Sequence, residues 1–544
     1  MNGAELLGRT LSQAGVRTIF SLSGNQIMPV YDACIDADIR IVHVRHEAAA
    51  VYMADAWAQL TGGIGVALLT AGPGFANGLS PLFSARQAES PVLLLSGDSP
   101  VGQDGAGAFQ EMTQTDMVRP LVKRTGRVND VERLSGDIAT SVRAALAGRP
   151  GPVHLALPFD VLNAEEPFGA DCPPESLMPD RQALSTEPAA RIGEAIAGAK
   201  RPVILLGPRS NRSRARDPIA ALERATGAPV IAMESPRGLR DPALGAFAGM
   251  LARADLIVSL GKRFDFTLGF GRPPALAADA GIIVVDPEPA MAEHAHDLFG
   301  DRLKLCEVAD TDGAMQKIAE TAPSLASTGG HETWRAEIAD AIALRPPAPE
   351  ARRGIHPQPL CEAVDAFLAS ADDPILICDG GEFGQWAQAF CTAPTRIING
   401  PSGAIGGGLC YAIAAKLARP EATVAVLMGD GTAGFQFAEF ETAVRENAPF
   451  TVVIGNDDCW NAEHQIQLRE YGPDRLVGCR LSPDARYDLA ASGFGCHGEH
   501  VTGIAELQPA LLRAAASGLP ACLNVALEGA AAPAAPSLDA AVGS

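Results

Sequence analysis

The sequence predicts an α/β protein of three doubly wound domains, each built on a parallel sheet. Short apolar runs alternate along the chain with segments long enough for helices, which is typical of strand–helix–strand units. Two Pro-rich stretches interrupt this alternation and divide it into three blocks. The 544 residues are ample for several domains with cores of their own.

The first block, residues 1–165, contains five predicted strands: RTIFSLSG, IRIVHV, IGVALLTAG, SPVLLLSGD and GPVHLALP. A linker rich in Pro, acidic residues and Ser follows it. The second block, residues 186–325, contains RPVILLG, APVIAM, ADLIVSLG and GIIVVDPE. After a second Pro-rich linker, residues 355–530 contain PILICDG, TRIING, ATVAVLMGD, FTVVIGN and ACLNVAL. The low-complexity tail GAAAPAAPSLDAAVGS is predicted to be mobile, and most of it lies outside the residues that the structure describes.

The composition excludes several classes of partner. Lys and Arg total 43 against 64 Asp and Glu, and the resulting net charge of −21 argues against binding nucleic acid or an anionic membrane. Eleven cysteines without a C-x-x-C pair predict free thiols in a reducing compartment. The sequence shows no signal-peptide pattern and no apolar run of membrane-spanning length, so we expect a cytoplasmic protein.

The stretch LMGDGTAGFQFAEF places Asp430 between two glycines, directly after a predicted strand. Turns of this kind usually hold phosphate through backbone N–H groups, so a carboxylate at the tip needs an explanation. One explanation is an ordinary tight turn in which the aspartate caps the next helix. The other is a carboxylate that holds a cation, which in turn holds a phosphate.

The following strand favours the cation. The predicted strand FTVVIGN ends at Asn456, and the intervening AGFQFAEFETAVRENAP is predicted to be one amphipathic helix. A strand–helix–strand crossover places Asp430 and Asn456 at the carboxyl ends of parallel strands, where open α/β sheets bind ligands. Their oxygen atoms and a loop carbonyl suit Mg²⁺, which completes its coordination with water and phosphate oxygens.

A G-D-G motif followed one crossover later by Asn resembles the thiamine diphosphate-binding motif. GVRTIFSLSGN, RHEAAAVYMADAWAQLTG, LLTAGPGFANGL and FQEMTQTDM also resemble the first domain of acetolactate synthase-like enzymes. That family includes benzaldehyde lyase, oxalyl-CoA decarboxylase and 2-hydroxyacyl-CoA lyase. The resemblance spans nearly the whole chain and implies a pyrimidine-binding first domain, a central domain and a diphosphate-binding third domain.

The resemblance implies a set of cofactor ligands in the third domain. Asp430, the Asn456 side chain and the backbone carbonyl of Asp458 would bind Mg²⁺. The family usually has paired asparagines where this chain has GNDD, so the choice between Asn456 and Asp457 stays open. The remaining implied contacts to the cofactor in this domain are Gly403, Ile405, Gly429, Gly431, Thr432 and Trp460.

Three of these positions have further implied roles. Ile405 would support the bent cofactor from below, although an ordinary core residue is the alternative. The Gly403 carbonyl would accept a hydrogen bond from the 4′-amino group. Trp460 and His464 would wall the pocket, and a plain surface histidine is the alternative for His464.

In the first domain, Glu47 begins the predicted helix in RHEAAA. Taken alone, it is a carboxylate stabilised by the helix dipole. In the resemblance it is the glutamate that binds N1′ of the aminopyrimidine, which favours the imino tautomer that removes the C2 proton. Pro73 and Asn77, in LLTAGPGFANGL, are implied cofactor contacts.

The substrate-facing candidates are Asn25, Gln26 and Gln110. Benzaldehyde lyase has a histidine where this chain aligns Gln26, and acetolactate synthases have small residues nearby. Neutral amides can orient a carbonyl or carboxylate oxygen, but they cannot exchange protons near neutral pH. Gln110 matches a glutamine that faces the reacting centre in relatives, with a loop-capping amide as the alternative. These three residues and Glu47 are the predicted catalytic set.

For the central domain, three alternatives stay open. This domain binds FAD in acetolactate synthases and ADP or the CoA nucleotide in oxalyl-CoA decarboxylase, and it binds no nucleotide in benzaldehyde lyase. Asp286, at the end of a predicted strand, is placed to meet a ribose hydroxyl. The segment FGRPP looks closer to the acyl-CoA lyase group.

The predicted function is therefore a thiamine diphosphate- and Mg²⁺-dependent lyase or transferase acting on small molecules. The first expectation is a 2-keto acid decarboxylase or carboligase, and the alternatives are an acyl-CoA lyase or decarboxylase and an aldehyde lyase. Retention of Glu47 disfavours a non-catalytic binder, and the absence of G-x-G-x-x-G after an early strand disfavours an NAD- or FAD-dependent oxidoreductase. The family implies that Glu47 and Asp430 of different chains share one site, so we expect a homodimer at least and a homotetramer by analogy.

Overall fold

The computed structural model describes residues 1–165, 172–211, 213–323, 331–345, 354–398, 400–534 and 536. It confirms the predicted fold class, because three parallel sheets follow one another along the chain with helices around each. All three sheets lie inside the predicted domain ranges, whose boundaries remain predictions. In the part that the structure describes, no helix is long and apolar enough to cross a membrane.

The first sheet has the strand order β2-β1-β3-β4-β6-β5. Its strands are β1 Thr18–Ser21, β2 Arg40–His43, β3 Gly65–Leu69, β4 Val92–Asp98, β5 Arg124–Arg127 and β6 Val153–Pro158. The helices are α1 Gly3–Gln13, α2 Met28–Asp36, α3 Glu47–Thr61, α4 Pro73–Asn77, α5 Leu79–Gln87, α6 Gln114–Val118, α7 Leu134–Leu146 and α8 Phe159–Asn163. β3 and β4 are buried along their whole length, which explains their continuous apolar sequences.

The central sheet has the order β11-β10-β9-β7-β8. Its strands are β7 Pro202–Leu206, β8 Val230–Ala232, β9 Leu256–Leu260, β10 Gly281–Asp286 and β11 Leu303–Val308. The helices are α9 Thr186–Gly198, α10 Arg216–Thr226, α11 Phe247–Leu251, α12 Pro289–Phe299, α13 Thr311–Thr321 and α14 Glu332–Ala343. Apolar clusters lie on both faces of the sheet, as a doubly wound sheet requires.

The third sheet has the order β13-β12-β14-β15-β17-β16. Its strands are β12 Pro374–Asp379, β13 Thr395–Ile398, β14 Thr423–Gly429, β15 Thr451–Asn456, β16 His497–Val501 and β17 Ala521–Ala526. The helices are α15 Pro357–Ala369, α16 Glu382–Phe390, α17 Gly408–Ala418, α18 Asp430–Ala433, α19 Glu439–Arg445, α20 Asn461–Tyr471, α21 Tyr487–Ser492 and α22 Ile504–Ala516.

The prediction of a single helix between β14 and β15 is wrong. The segment forms two short helices, α18 and α19, separated by a bend at residues 434–438. In this bend the Phe435 ring packs edge-on against Trp460, with 6.2 Å between ring centroids, and lies against Gly406. These tertiary contacts override the helical periodicity of the sequence.

The first and third domains pack together through α3 and α17. The Tyr411 hydroxyl of α17 donates a hydrogen bond to Asp55 Oδ2 of α3 at 3.2 Å. The Tyr52 and Tyr411 rings meet edge to face, with centroids 5.7 Å apart. One apolar cluster includes buried residues of both domains, so the two domains share a core.

Candidate active site

Asp430 and Asn456 lie side by side at the carboxyl edge of the third sheet. β14 and β15 are paired in parallel with Gly429 opposite Gly455, so the next residue on each strand is one of the two predicted ligands. Asp430 is buried, and its Oδ1 and Oδ2 accept the N–H groups of Gly431 at 2.9 Å and Cys459 at 3.2 Å. The predicted crossover therefore brings both residues to one place.

The loop after Asn456 is tightly constrained. The amide oxygen of Asn456 accepts the N–H of Asp458 at 3.2 Å, and Asp458 has a left-handed φ of 56°, which is uncommon outside glycine. Asp457 lines the cleft beside Asp430, whereas Asn456 does not. The choice between Asn456 and Asp457 as a metal ligand therefore stays a prediction.

These carboxylates repel one another in a partly dehydrated site. Burial, together with the neighbouring charge of Asp458, raises the pKa of Asp430 to about 6. Burial, together with the charges of Asp430 and Asp458, raises the pKa of Asp457 to about 7. A divalent cation would relieve both the desolvation and the repulsion, so the donor set fits Mg²⁺.

The cleft has a volume of about 320 Å³, and its glycines allow the protein backbone to approach a bound ligand closely. A Cβ on Gly431 would lie 2.7 Å from the Trp460 ring, and one on Gly380, whose φ is 102°, would lie 2.6 Å from Thr432 Oγ1. The predicted cofactor contacts of this domain that line the cleft are Gly403, Ile405, Gly429, Gly431, Thr432 and Trp460.

The glycine-rich segment that carries Ile405 is fixed by Asp379, which sequence reasoning missed. Asp379 ends β12, and its Oδ2 accepts the N–H groups of Gly406 at 3.1 Å and Gly408 at 2.6 Å. Its position at the carboxyl end of a predicted strand, before two glycines, could have identified it as a site residue. Ile405 is half-buried beside the cleft, and Gly403 has a φ of 68°.

The second half of the candidate site surrounds Glu47 in the first domain. Glu47 is the first residue of α3 and is 8% exposed. Asn77 Nδ2 donates a hydrogen bond to Glu47 Oε2 at 3.0 Å. A Cβ on Gly74 would lie 3.3 Å from Glu47 Oε1 and 2.5 Å from the Thr70 side chain, so α4 packs directly against the carboxylate. Pro73 and Asn77 are the first and last residues of α4, and both are exposed.

Gln26 and Gln110 are joined in a short hydrogen-bond chain that begins at Thr70. The Thr70 hydroxyl donates to Gln26 Oε1, and Gln26 Nε2 donates to Gln110 Oε1, both at 2.8 Å. Gln110 has a left-handed φ of 61°. Asn25 is exposed beside this chain, and sequence reasoning missed Thr70.

Glu47 and the cleft around Asp430 form two distinct groups of residues in the described part of the chain. Glu47 is not among the described residues that line the cleft around Asp430. Trp460 lines that cleft as predicted, whereas His464 does not and is 9% exposed, so it is not a surface histidine. Burial and the positive charge of Arg480 lower the pKa of His464.

Asp286 is buried at the carboxyl end of β10, where the sequence placed a ribose contact. Its Oδ2 accepts a hydrogen bond from Arg149 Nη2 at 2.6 Å, and its Oδ1 accepts the N–H of Glu288 at 2.9 Å. Arg149, from the first domain, also binds Glu89 and Glu288. Each oxygen of the Asp286 carboxylate therefore already accepts one protein donor, and the ribose contact stays a prediction.

Family comparisons cover all three domains. Models for the N-terminal, central and C-terminal domains of thiamine pyrophosphate enzymes match residues 1–117, 189–304 and 379–525. The chain is 32% identical over 546 aligned residues to acetolactate synthase large subunit IlvG of Mycobacterium tuberculosis, covering 96% of this chain and 95% of the relative.

A second group of relatives is 2-hydroxyacyl-CoA lyase 2. The human protein is 31% identical over 545 aligned residues, covering 91% of this chain and 84% of the relative. The zebrafish (Danio rerio) protein is 31% identical over 551 residues, covering 91% and 86%. These matches confirm the resemblance: the chain is an enzyme and belongs to the thiamine diphosphate-dependent family that includes acetolactate synthase and 2-hydroxyacyl-CoA lyase 2.

Proposed function

We propose that this enzyme uses thiamine diphosphate and Mg²⁺ to break or form a carbon–carbon bond beside a carbonyl group, as a 2-keto acid decarboxylase or carboligase. When bound, thiamine diphosphate supplies a nucleophilic carbon and an electron sink for this chemistry. The similarity to acetolactate synthase over nearly the full length supports this class of reaction.

The observation that carries the proposal is the pair of half-sites. Around Asp430, converging carboxylates beside a glycine-lined cleft suit a cation and a diphosphate. Around Glu47, a buried carboxylate held by Asn77 suits a hydrogen bond to a heterocyclic nitrogen. In the proposal, Glu47 binds N1′, and Gln26 and Gln110 orient the substrate oxygen.

The metal site can be tested by calorimetry. Asp430→Asn removes the carboxylate that lies between the glycines and should lower Mg²⁺-dependent affinity for thiamine diphosphate at least about tenfold. Asn456→Ala should weaken it similarly, whereas Asp457→Asn should bind normally. Wild-type affinity in Asp430→Asn would contradict the metal site. A loss in Asp457→Asn together with wild-type affinity in Asn456→Ala would exchange the two candidate ligands.

The separation of Glu47 from the cleft supports a site shared between two chains. We propose a homodimer at least, with each site built from Glu47 of one chain and Asp430 of the other. Glu47→Ala and Asp430→Ala should each be inactive alone. Mixed dimers of the two variants should regain activity, since one of their two sites keeps both residues. No recovery after mixing and refolding, with mixed dimers verified by mass spectrometry, would place both residues in one chain's site.

A 2-hydroxyacyl-CoA lyase is the second candidate. Phe266 and Phe270 are 54% and 59% exposed on one loop of the central domain, and Arg272 is exposed beside them. Exposed aromatic rings and a cation suit the adenine and phosphates of a CoA thioester. A panel of pyruvate, benzoylformate, oxalyl-CoA, a 2-hydroxyacyl-CoA and benzoin, read by mass spectrometry, separates the candidates by their products.

The cysteines support a reducing location. All eleven are free thiols, and ten of them are buried. We propose the cytoplasm on this ground.

A further inference from the structure

Glu439 is a buried carboxylate that joins the third domain to the first. It begins α19 and is 1% exposed. Its Oε1 accepts the backbone N–H groups of Arg45 at 2.9 Å and His46 at 3.1 Å. Its Oε2 accepts a hydrogen bond from the Thr442 hydroxyl at 2.7 Å. Both carboxylate oxygens therefore accept hydrogen bonds, and the two bonds to Oε1 cross from the third domain to the first.

The two N–H groups belong to the residues immediately before Glu47. His46 caps α3, and its Nδ1 accepts the N–H of Ala48 at 3.1 Å. The entry to the helix is thus held from two sides, by its own cap and by Glu439. Backbone bonds at adjacent residues fix both the position and the direction of the chain as it enters α3. The start of the helix also favours a nearby negative charge.

Glu439 belongs to the same stretch of chain that carries Asp430. The bend between α18 and α19 packs Phe435 on Trp460, and α19 then carries Glu439 to the loop before Glu47. Burial raises the pKa of Glu439, so this carboxylate is kept in place against a desolvation cost. One short segment of chain therefore contacts both half-sites.

We propose that Glu439 is a positioning residue that sets the location of the Glu47 carboxylate. The inference rests on the proposed role of Glu47. A hydrogen bond to N1′ requires the carboxylate at a defined place, and a displacement on the order of 1 Å can lower the rate of a catalysed step by about 10²-fold. In a dimer with shared sites, the half-sites around Asp430 and Glu47 of one chain belong to two different active sites. Glu439 would then connect these two active sites.

Three variants test the proposal in the full-length protein. Glu439→Ala removes the acceptor. Glu439→Gln keeps an oxygen for the two N–H groups and an amide that can donate to Thr442. Glu439→Asp keeps the charge but withdraws it by one methylene. Glu446→Ala is the matched control, because Glu446 follows α19, pairs with Arg445 and also joins the first domain, but through the side chain of Arg40 rather than the N–H groups before Glu47.

Three measurements need no substrate. Amide hydrogen exchange of the segment containing Arg45 and His46 is followed in the apoprotein. Calorimetry gives the affinity for thiamine diphosphate with Mg²⁺. Proton NMR after acid quench gives the rate at which the C2 proton of the bound cofactor exchanges with deuterated water, which reports the action of Glu47 directly.

We expect Glu439→Ala and Glu439→Asp to lose amide protection at the entry to α3. Both should slow C2 proton exchange by about 10²-fold while changing cofactor affinity less than about threefold. Glu439→Gln should recover most of both losses, and Glu446→Ala should resemble wild type.

Wild-type amide protection or wild-type C2 exchange in Glu439→Asp would overturn the inference, even if Glu439→Ala does not fold. Equal losses in Glu446→Ala would also overturn it, because the effect would then belong to the interface in general. Normal C2 exchange in Glu47→Ala is a different result, and it would refute the proposed role of Glu47 itself.

Discussion

Replacing Thr70 by valine tests whether the hydrogen-bond chain through Gln26 to Gln110 orients the substrate. Valine has nearly the shape of threonine but cannot donate a hydrogen bond. In the folded protein the Thr70 hydroxyl is the partner of Gln26 Oε1, and Gln26 is only 5% exposed. The variant therefore leaves one buried amide oxygen without its partner while changing little else.

The structure sets the size of the effect. A buried acceptor left unsatisfied costs about 1–3 kcal/mol. Gln26 can avoid this cost by rotating its amide, but rotation breaks its bond to Gln110 Oε1 and releases the Gln110 amide. Rotation therefore removes the fixed amides that orient the substrate in the proposal, and an unsatisfied Gln26 oxygen leaves them less firmly held. We expect kcat/KM to fall by about 5- to 150-fold, the kinetic equivalent of that energy.

The assay compares kcat and KM of three variants with a substrate found in the panel. Thr70→Ser keeps the hydroxyl and should retain most of the activity. Thr10→Val is the control for losing a buried hydroxyl elsewhere in the same domain, since Thr10 Oγ1 donates to Leu6 O at 2.8 Å. Affinity for thiamine diphosphate should be unchanged in all three.

Two results would refute the reasoning. Wild-type kcat/KM in Thr70→Val would show that the chain does not orient the reacting groups. Equal losses in Thr70→Val and Thr70→Ser would show that the effect comes from packing of the loop and not from the hydroxyl.

Three further predictions concern stability and the central domain. Arg149→Met leaves the buried carboxylates of Glu89 and Asp286 unpaired, so urea unfolding should show a loss of about 3–5 kcal/mol, and a loss below about 1 kcal/mol would contradict it. Burial lowers the pKa of His154 to about 3, below the value of about 6.5 in unfolded chains, so its stabilising contribution is complete above pH 6.5 and is lost as the pH falls toward 3. Between pH 7 and pH 5, wild type should lose about 2 kcal/mol more unfolding free energy than His154→Gln, and parallel losses would refute this. Because Arg149 holds the Asp286 carboxylate in an ion pair, we expect the purified protein to show no visible flavin absorption; a stoichiometric flavin spectrum would refute this expectation.

The strands that sequence reasoning missed have one property in common. β5, β11 and β16 lie at an edge of their sheets, and each has partly exposed residues along most of its length. An edge strand faces solvent on one side, so it does not need the continuous apolar run that identifies a central parallel strand. Sequences such as RTGR and HGEHV therefore carry no strand signal by themselves.

The sequence predicts the positions of the site residues better than it predicts the residues to which they are hydrogen-bonded. The register of β14 with β15 places Asp430 beside Asn456, as their location at two strand ends indicated. Thr70 and Glu439 were missed because each contacts residues that are distant in the chain, and local sequence gives no sign of such a partner. Asp379 had a local signal, its place at a strand end before two glycines, but the sequence does not show that it binds Gly406 and Gly408.

The sequence by itself determined the fold class, the family and the two strand ends where the cofactor groups gather, because hydrophobic periodicity and glycine-flanked turns are local properties. Only the tertiary structure decided which residues contact those groups. It broke the helix after Asp430, committed Asp286 to Arg149 and brought Glu439 to the residues before Glu47. These outcomes depend on packing between segments that are far apart in the chain, and such packing is set by the whole core rather than by the residues around each site.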